Sequence, residues 1–444
     1  MRKITTLIAI LLLIGAISAV GLAQQYAITN ATIVTVTRGT IYNGTLIIEG
    51  EKIAAIGTSV PVPSGAEIID GTGLFIFPGM IDPNTDLGLT EIGGVTQSQD
   101  QVEMGTYNTF IRASQGADPN TIMKGIARYN GITSVITVPR TSGQGVFAGH
   151  EVLFNMGGWT VDEMTDKDPV SMQMTFPSFG SGGARARGGG GRQPEQTAAQ
   201  TQREDPRERA EQVLNTVKDL FENTKLYIKA QEDYAAKRSP APPELDLTLE
   251  GLIPVVKGEI PLTITVSGVD NMREAIKFVK DTNVKAVFAG ATDAFRIADE
   301  LAEAGIPILY SQLLTTPGQN DPYDLYYAIP SILDKAGVKF AFSISGASGI
   351  QNLPFMAGMA AAYGLPKDAA LKSVTIYPAE MYGVDDILGS LEVGKLANVV
   401  VTNGDMLEPA TKVIHEFIRG AKVDLADNWQ YQQYLKYLAR PIKK

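Results

Sequence analysis

Residues 74–86 read Leu74-Phe-Ile-Phe-Pro-Gly-Met-Ile-Asp-Pro-Asn-Thr-Asp86. An apolar, β-favouring run breaks at Pro-Gly, and a second apolar pair leads into Asp82, Asn84 and Asp86. These side chains offer oxygen donors, which suit Ca²⁺ or Mg²⁺ better than a hydrolytic zinc. The segments before residue 74 are rich in β-branched residues: Ala31-Thr-Ile-Val-Thr-Val-Thr37, Thr45-Leu-Ile-Ile-Glu-Gly50 and Lys52-Ile-Ala-Ala-Ile-Gly57. A similar set lies near the far end, with Ala397–Thr402 and Val413–Arg419 separated by an Asn403-Gly404 turn. Two β segments that bracket a central region predict a small β-sandwich closed by both chain ends.

The central region alternates. Thr133–Val138, Leu262–Val266, Ala286–Ala289, Pro307–Tyr310 and Phe340–Ile344 read as buried strands. Asn271–Asp281, Thr292–Ala304, Leu325–Ala336 and Pro354–Tyr363 read as helices. This order points to βα units around a parallel barrel or a doubly wound sheet. Residues 180–205 interrupt it with a Gly/Arg-rich run that cannot bury enough apolar surface to offset its ordering entropy, and predict a mobile insertion. A helix resumes at Asp205-Pro206, with Val213, Val217, Leu220, Leu226, Tyr227 and Ile228 as its apolar face.

Arg2 and Lys3 precede an apolar run from Ile4 to Val20, and Gly21-Leu22-Ala23 supplies small residues. This pattern predicts a secretory signal peptide over residues 1–23, cut before Gln24, and a periplasmic or secreted protein. Cleavage removes two positive charges from a chain whose net charge is already -10. No second apolar stretch approaches ~18 residues, so no stable membrane span is expected. The acidic balance argues against nucleic acid, which needs clustered Lys and Arg. The chain has no Cys, hence no disulfide and no thiol ligand.

The framework motifs carry a family resemblance. Ile68-Ile-Asp-Gly-Thr-Gly-Leu-Phe-Ile-Phe-Pro-Gly-Met-Ile-Asp82 resembles the junction from sandwich to first barrel strand in the amidohydrolase superfamily (imidazolonepropionase- and dihydroorotase-like members). Ala369–Gly383 is similar to the late helix of that group. Leu388-Gly-Ser-Leu-Glu-Val-Gly-Lys-Leu-Ala-Asn398 resembles its return to the sandwich, with Asn398 in place of the usual Asp. The resemblance covers roughly residues 26–424. It implies a TIM-like (β/α)8 barrel over 78–385, with a composite sandwich from 24–77 and 386–424 and a C-terminal helix in 425–444.

It also implies a metal site held by two His after strand one, a mid-barrel ligand, two later His and a last-strand Asp. Here Asn84 and Asp86 stand at the first pair and Thr265 at a later position. Ala or Gly ends the Ala286 strand, and Lys257 precedes its strand rather than lying in the barrel. The chain holds only His150 and His415. The expectation is a family protein without bound metal or cofactor. It would be a non-catalytic partner of an active paralogue, or of a second copy, or a subunit that binds a small molecule or peptide. The alternative is a hydrolase of C–N bonds, in cyclic or other non-peptide amides, acting through a repurposed site. Its candidates are Asn84, Asp86, His150, Glu151 and Thr265. His150, in a turn leading into a strand, is either a general base with Glu151 nearby or a hydrogen-bonded strand-entry residue.

Overall fold

The computed structural model describes residues 24–180, 205–319 and 321–440. The predicted signal peptide over 1–23 and all but the ends of the predicted insertion over 180–205 lie outside the described residues.

The N-terminal strands are β1 (Gln25–Val34), β2 (Thr40–Glu49), β3 (Lys52–Gly57), β4 (Glu67–Asp70) and β5 (Phe75–Pro78). The chain then enters β6 (Met80–Thr85), passes a two-residue strand β7 (Val102–Glu103) and forms β8 (Ile132–Thr137). After β9 (Arg140–Thr141), which pairs with β7, come β10 (Phe147–Asn155) and β11 (Thr165–Thr175). Four short strands follow: β12 (Leu262–Thr265), β13 (Ala286–Ala289), β14 (Ile308–Tyr310) and β15 (Phe340–Phe342). The chain closes with β16 (Val399–Thr402), β17 (Val413–Ile418) and β18 (Ala421–Lys422).

Strands from both chain ends share one sheet in the order β18-β17-β16-β5-β1-β2-β3, with β4 beside β1. The sheet curls until Lys52 of β3 bridges Leu396, just before β16. Its concave face encloses a separate apolar core that includes Tyr26, Ile28, Ile33, Leu46, Ile76, Val399 and Phe417. The predicted composite sandwich is therefore a single curled sheet. Asn398 fastens it to the barrel: its amide donates to Ser134 Oγ at 3.1 Å, its side-chain oxygen accepts from Arg419 N at 2.8 Å, and its carbonyl accepts from Gly79 N at 2.9 Å. The Pro-Gly step in the opening motif has a steric cause. A Cβ at Gly79 would run into the Thr133 side chain, so only Gly lets β6 start against β8.

The other eight-stranded sheet is a TIM-like barrel in the order β15-β14-β13-β12-β11-β10-β8-β6. Residues 373–374 fill the seam between β15 and β6: Phe342 N donates to Ser373 O (3.1 Å) and Ile81 N to Val374 O (2.9 Å). One strand departs from the predicted (β/α)8 repeat. β10 runs antiparallel to both β8 and β11. The connection over 138–146 is too short for a crossover, which needs about a dozen residues, so the chain can only return antiparallel. The predicted strands and helices elsewhere in the barrel are present. Asp205 caps the helix Pro206–Ala235, whose buried stripe is Ala210, Leu214, Val217, Phe221, Thr224 and Tyr227. Leu226, assigned to that face from the sequence, is exposed instead. No helix among the described residues is long and apolar enough to cross a membrane.

Candidate functional site

Alternation along β6 turns Asp82, Asn84 and Asp86 to one face, the barrel interior. Asp82 is fully buried; its Oδ1 accepts from Ile344 N (3.1 Å) and Asn84 N (3.3 Å), while Oδ2 has no partner. Burial pushes its carboxyl up to about 7. Asp86 Oδ1 accepts from Ala347 N at 2.6 Å. The loop after β15 is thus pinned at two points to the end of β6. Arg140, beyond the end of β8, donates from Nη2 to Ser345 O of the same loop at 3.1 Å. Its guanidinium therefore lies in the field of Asp86, Glu151 and Asp82, which oppose the burial that lowers its pKa.

Glu151 enters from β10 and is fully buried. Its Oε2 accepts from Ser171 Oγ (2.7 Å) and Thr263 Oγ1 (3.0 Å), and Oε1 has no partner. Burial pushes this carboxyl, too, up to about 7. Tyr382 Oη lies 3.2 Å from Thr263 Oγ1 and donates to Pro83 O at 3.4 Å, tying the network back to β6. One step further along the same strand faces, Gln173 Nε2 donates to Thr265 Oγ1 at 2.7 Å. Asn84 Oδ1, Thr85 Oγ1, Gln173 Oε1 and Ser343 Oγ are further buried oxygens without a partner.

The fold brings Asn84, Asp86, Glu151 and Thr265 to one interior and leaves His150 out of it. Adjacent strand residues point to opposite faces, so Glu151 pointing inward turns His150 outward. His150 Nε2 donates to Gly251 O at 2.8 Å, under the helix Leu247–Val256, and burial lowers its pKa. Of the two readings of His150, the structure shows the hydrogen-bonded strand-entry residue and places no Glu151 carboxylate beside the imidazole. His415 lies on β17, opposite Val401 in the end sheet. Sequence reasoning passed over Arg140, Ser171, Gln173, Thr263 and Tyr382. A basic residue just beyond a strand's C-terminal end was the one available sign of Arg140.

The profile of the amidohydrolase family matches residues 249–425. D-hydantoinase of Geobacillus stearothermophilus is 49% identical over 79 residues, 18% of this chain and 16% of that protein. Imidazolonepropionase of Geobacillus sp. (strain WCH70) is 30% identical over 156 residues, 30% of this chain and 36% of that protein. An amidohydrolase structure from Thermotoga maritima MSB8 superposes with a TM-score of 0.75 at 26% identity, covering 90% of this chain and 99% of that one. The chain belongs to the amidohydrolase superfamily. The matched segments span well under half of either named hydrolase.

Superfamily membership raises the question of a divalent metal at this mouth, and the donors present do not fit one. Asp82 Oδ2 and Glu151 Oε1 remain free as ligand oxygens, but among the described residues they are not joined into a set of three or more His, Cys, Asp and Glu ligands. A guanidinium supplies positive charge beside them.

Proposed function

We propose that this chain is an exported amidohydrolase homologue that has given up metal-dependent hydrolysis and serves as a binding or partner subunit. The partner would be an active paralogue or a second copy. One observation carries the reading: the loop Ile344–Ala347 ties down Asp82 and Asp86 and also receives Arg140. Arg140 then takes the electrostatic place of a metal without its chemistry, because a guanidinium neither opens a coordination position nor generates hydroxide. The test is elemental mass spectrometry on protein purified without chelator, combined with hydrolysis assays on hydantoin, dihydrouracil and imidazolonepropionate. The expected outcome is no stoichiometric metal and background turnover. Near-stoichiometric metal, or turnover that Asp86→Ala abolishes, would overturn the reading.

A second reading rests on the two carboxyls pushed up to about 7, the range in which an acid–base catalyst works best at neutral pH. On this reading Glu151 and Asp82 would shuttle protons during hydrolysis of a C–N bond in a cyclic amide, as the names of the related hydrolases suggest. It requires turnover of one of the three substrates that Glu151→Gln removes.

A further inference from the structure

The chain has two tryptophans, and both line one cleft of about 1180 Å³ at the other end of the barrel. Asn155 marks that end, since it lies opposite Ser134 near the start of β8, away from Asp86. Trp159 is 79% exposed and Trp429 is 54% exposed. Holding two indoles in water costs hydrophobic free energy, and this fold uses buried polar groups to do it.

Both indole-bearing loops rest on one short helix, Met123–Tyr129. Lys124, itself buried, donates from Nζ to Pro119 O (2.7 Å) and to Gly158 O (3.1 Å), fixing the loop that precedes Trp159. Asn155, fully buried, accepts from Gly157 N (3.0 Å) and donates to Glu163 O and Met164 O; Glu163 Oε2 in turn accepts from Trp159 N (2.7 Å). On the other side, Gly125 has no Cβ to collide with Asp427 O, which lets residues 427–428 lie on the helix. Arg128 pairs with Asp427 at 3.7 Å. Asn428, also buried, accepts from Gln430 N (2.9 Å) and Tyr431 N (3.3 Å), capping the helix that Trp429 begins. Three residues of one helix thus position both aromatic arms before any ligand arrives.

The cations of the cleft are paired, while the carboxylates of Asp162, Asp424 and Asp427 face water. Lys124 is taken by carbonyls, Arg128 by Asp427, Arg419 by Asp166 and Glu51, and Lys422 by Glu67. An anionic ligand meets no free cation there. What remains is two indole faces beside amide and carboxylate groups from Asn120, Asp162 and Gln432. A ring with an apolar C–H face and a rim of hydroxyls matches that combination. The cleft is open along one side, so several linked rings can lie in it with their ends in solvent.

We infer that this cleft binds a neutral oligosaccharide, clamped between Trp159 and Trp429. The site is independent of the barrel mouth and of whether the mouth hydrolyses anything.

The two tryptophans are also the reporters. Signal-cleaved protein is titrated with cellopentaose, chitopentaose, maltopentaose and xylopentaose, following indole emission, acrylamide quenching and calorimetric heat. At least one chain should give a saturable blue shift with loss of quencher access. Trp159→Phe and Trp429→Phe, each leaving one indole, should both retain the shift. Trp159→Ala and Trp429→Ala should each weaken binding by about tenfold or more, as loss of an aromatic anchor does. The proposal fails if none of the four sugars gives a saturable change. It also fails if only a cationic probe, tetramethylammonium or a Lys-rich peptide, does so, or if the Ala variants bind with unchanged affinity while folded.

Discussion

The two ends of the barrel handle their polar and aromatic groups in opposite ways. At the mouth, Asp82 and Glu151 are driven out of water with one oxygen each left unpartnered, and Arg140 lies near both. At the cleft, buried Lys124, Asn155 and Asn428 are bonded to backbone, and two indoles stand in water beside exposed carboxylates. Incomplete hydrogen bonding in a buried interior lowers stability, whereas exposed aromatics lower it little and offer contact area. The mouth therefore stores strain within the molecule, and the cleft presents surface to a partner. Substitutions at the two ends should separate along that line.

The largest effect is expected at Arg140. Arg140→Ala removes the charged donor to Ser345 O and the cation in whose field Asp82, Asp86 and Glu151 lie, and loss of a hydrogen bond from a charged group costs about 1.5–3 kcal/mol. Urea unfolding at pH 7.5 reads this as a lower midpoint at unchanged slope. The same variant should gain affinity for a hard cation, seen as sensitised terbium luminescence that the parent protein lacks. A folded Arg140→Ala protein that binds no terbium would end the view of Arg140 as the metal's substitute.

Comparable in size is the dependence on pH. Asp82 and Glu151 have ordinary values of 3.8 and 4.5 and are pushed by burial to about 7. Between those limits the folded state holds protons that the unfolded state has released. The contribution of these two groups to stability is therefore greatest at and below about pH 4, falls as pH rises towards 7, and levels off above it. These shifts set an upper bound on that fall of about 4 kcal/mol for Asp82 and about 3 kcal/mol for Glu151. Glu151→Gln and Asp82→Asn should each flatten the curve measured by urea unfolding from pH 4 to 8. Glu416, buried on β17 and also pushed well up, adds to the same slope, so Glu416→Gln is the needed comparison. An unchanged curve in all three variants would show the mouth to be hydrated and not strained.

How much of this contrast could be read from residues alone depends on which interaction sets it. Local composition made the strands of the end sheet and barrel legible, because β-branched runs and Pro-Gly punctuation act over a few residues. The family frame at 68–82 and 369–398 placed Asn84, Asp86 and Thr265 at the mouth. Glu151 was named, and which way it and His150 face was left open. Period-two alternation says that His150 and Glu151 face opposite ways and does not say which faces in; that is decided by β10 pairing with β8 and β11. Arg140 reaches the mouth only through a loop some two hundred residues later, a contact no local pattern encodes. The cleft was equally hidden, since Trp159 and Trp429 come to line it only because two distant segments dock on Met123–Tyr129.

A smaller loss is expected where the mouth meets its covering loop. Asp86→Ala removes one acceptor from Ala347 N and leaves a buried donor open, worth about 1–2 kcal/mol. The effect should be confined to the loop over 343–349, so hydrogen exchange at Ile344 and Ala347 rises while exchange in β12 and β13 holds. A global rise would mean that Asp86 supports the barrel itself and not only its cover.

The smallest effect on stability should come from the residues given the largest role in binding. Trp159→Ala removes a side chain that is 79% exposed, and substitutions at such surface positions stay within about 0.5 kcal/mol. Lys124→Met is its sharp counterpart: the indole stays, but the ammonium holding Gly158 O is gone. If the cleft is prebuilt, Lys124→Met weakens oligosaccharide binding through a slower association, because the loop must now be ordered on contact, while Trp159→Ala acts through faster dissociation. Stopped-flow indole fluorescence on Lys124→Met and calorimetric competition on Trp159→Ala distinguish the two. Equal association rates for the parent protein and Lys124→Met would place the rigidity of that loop elsewhere, in Asn155 and Glu163, and would leave Lys124 as a support for the helix alone.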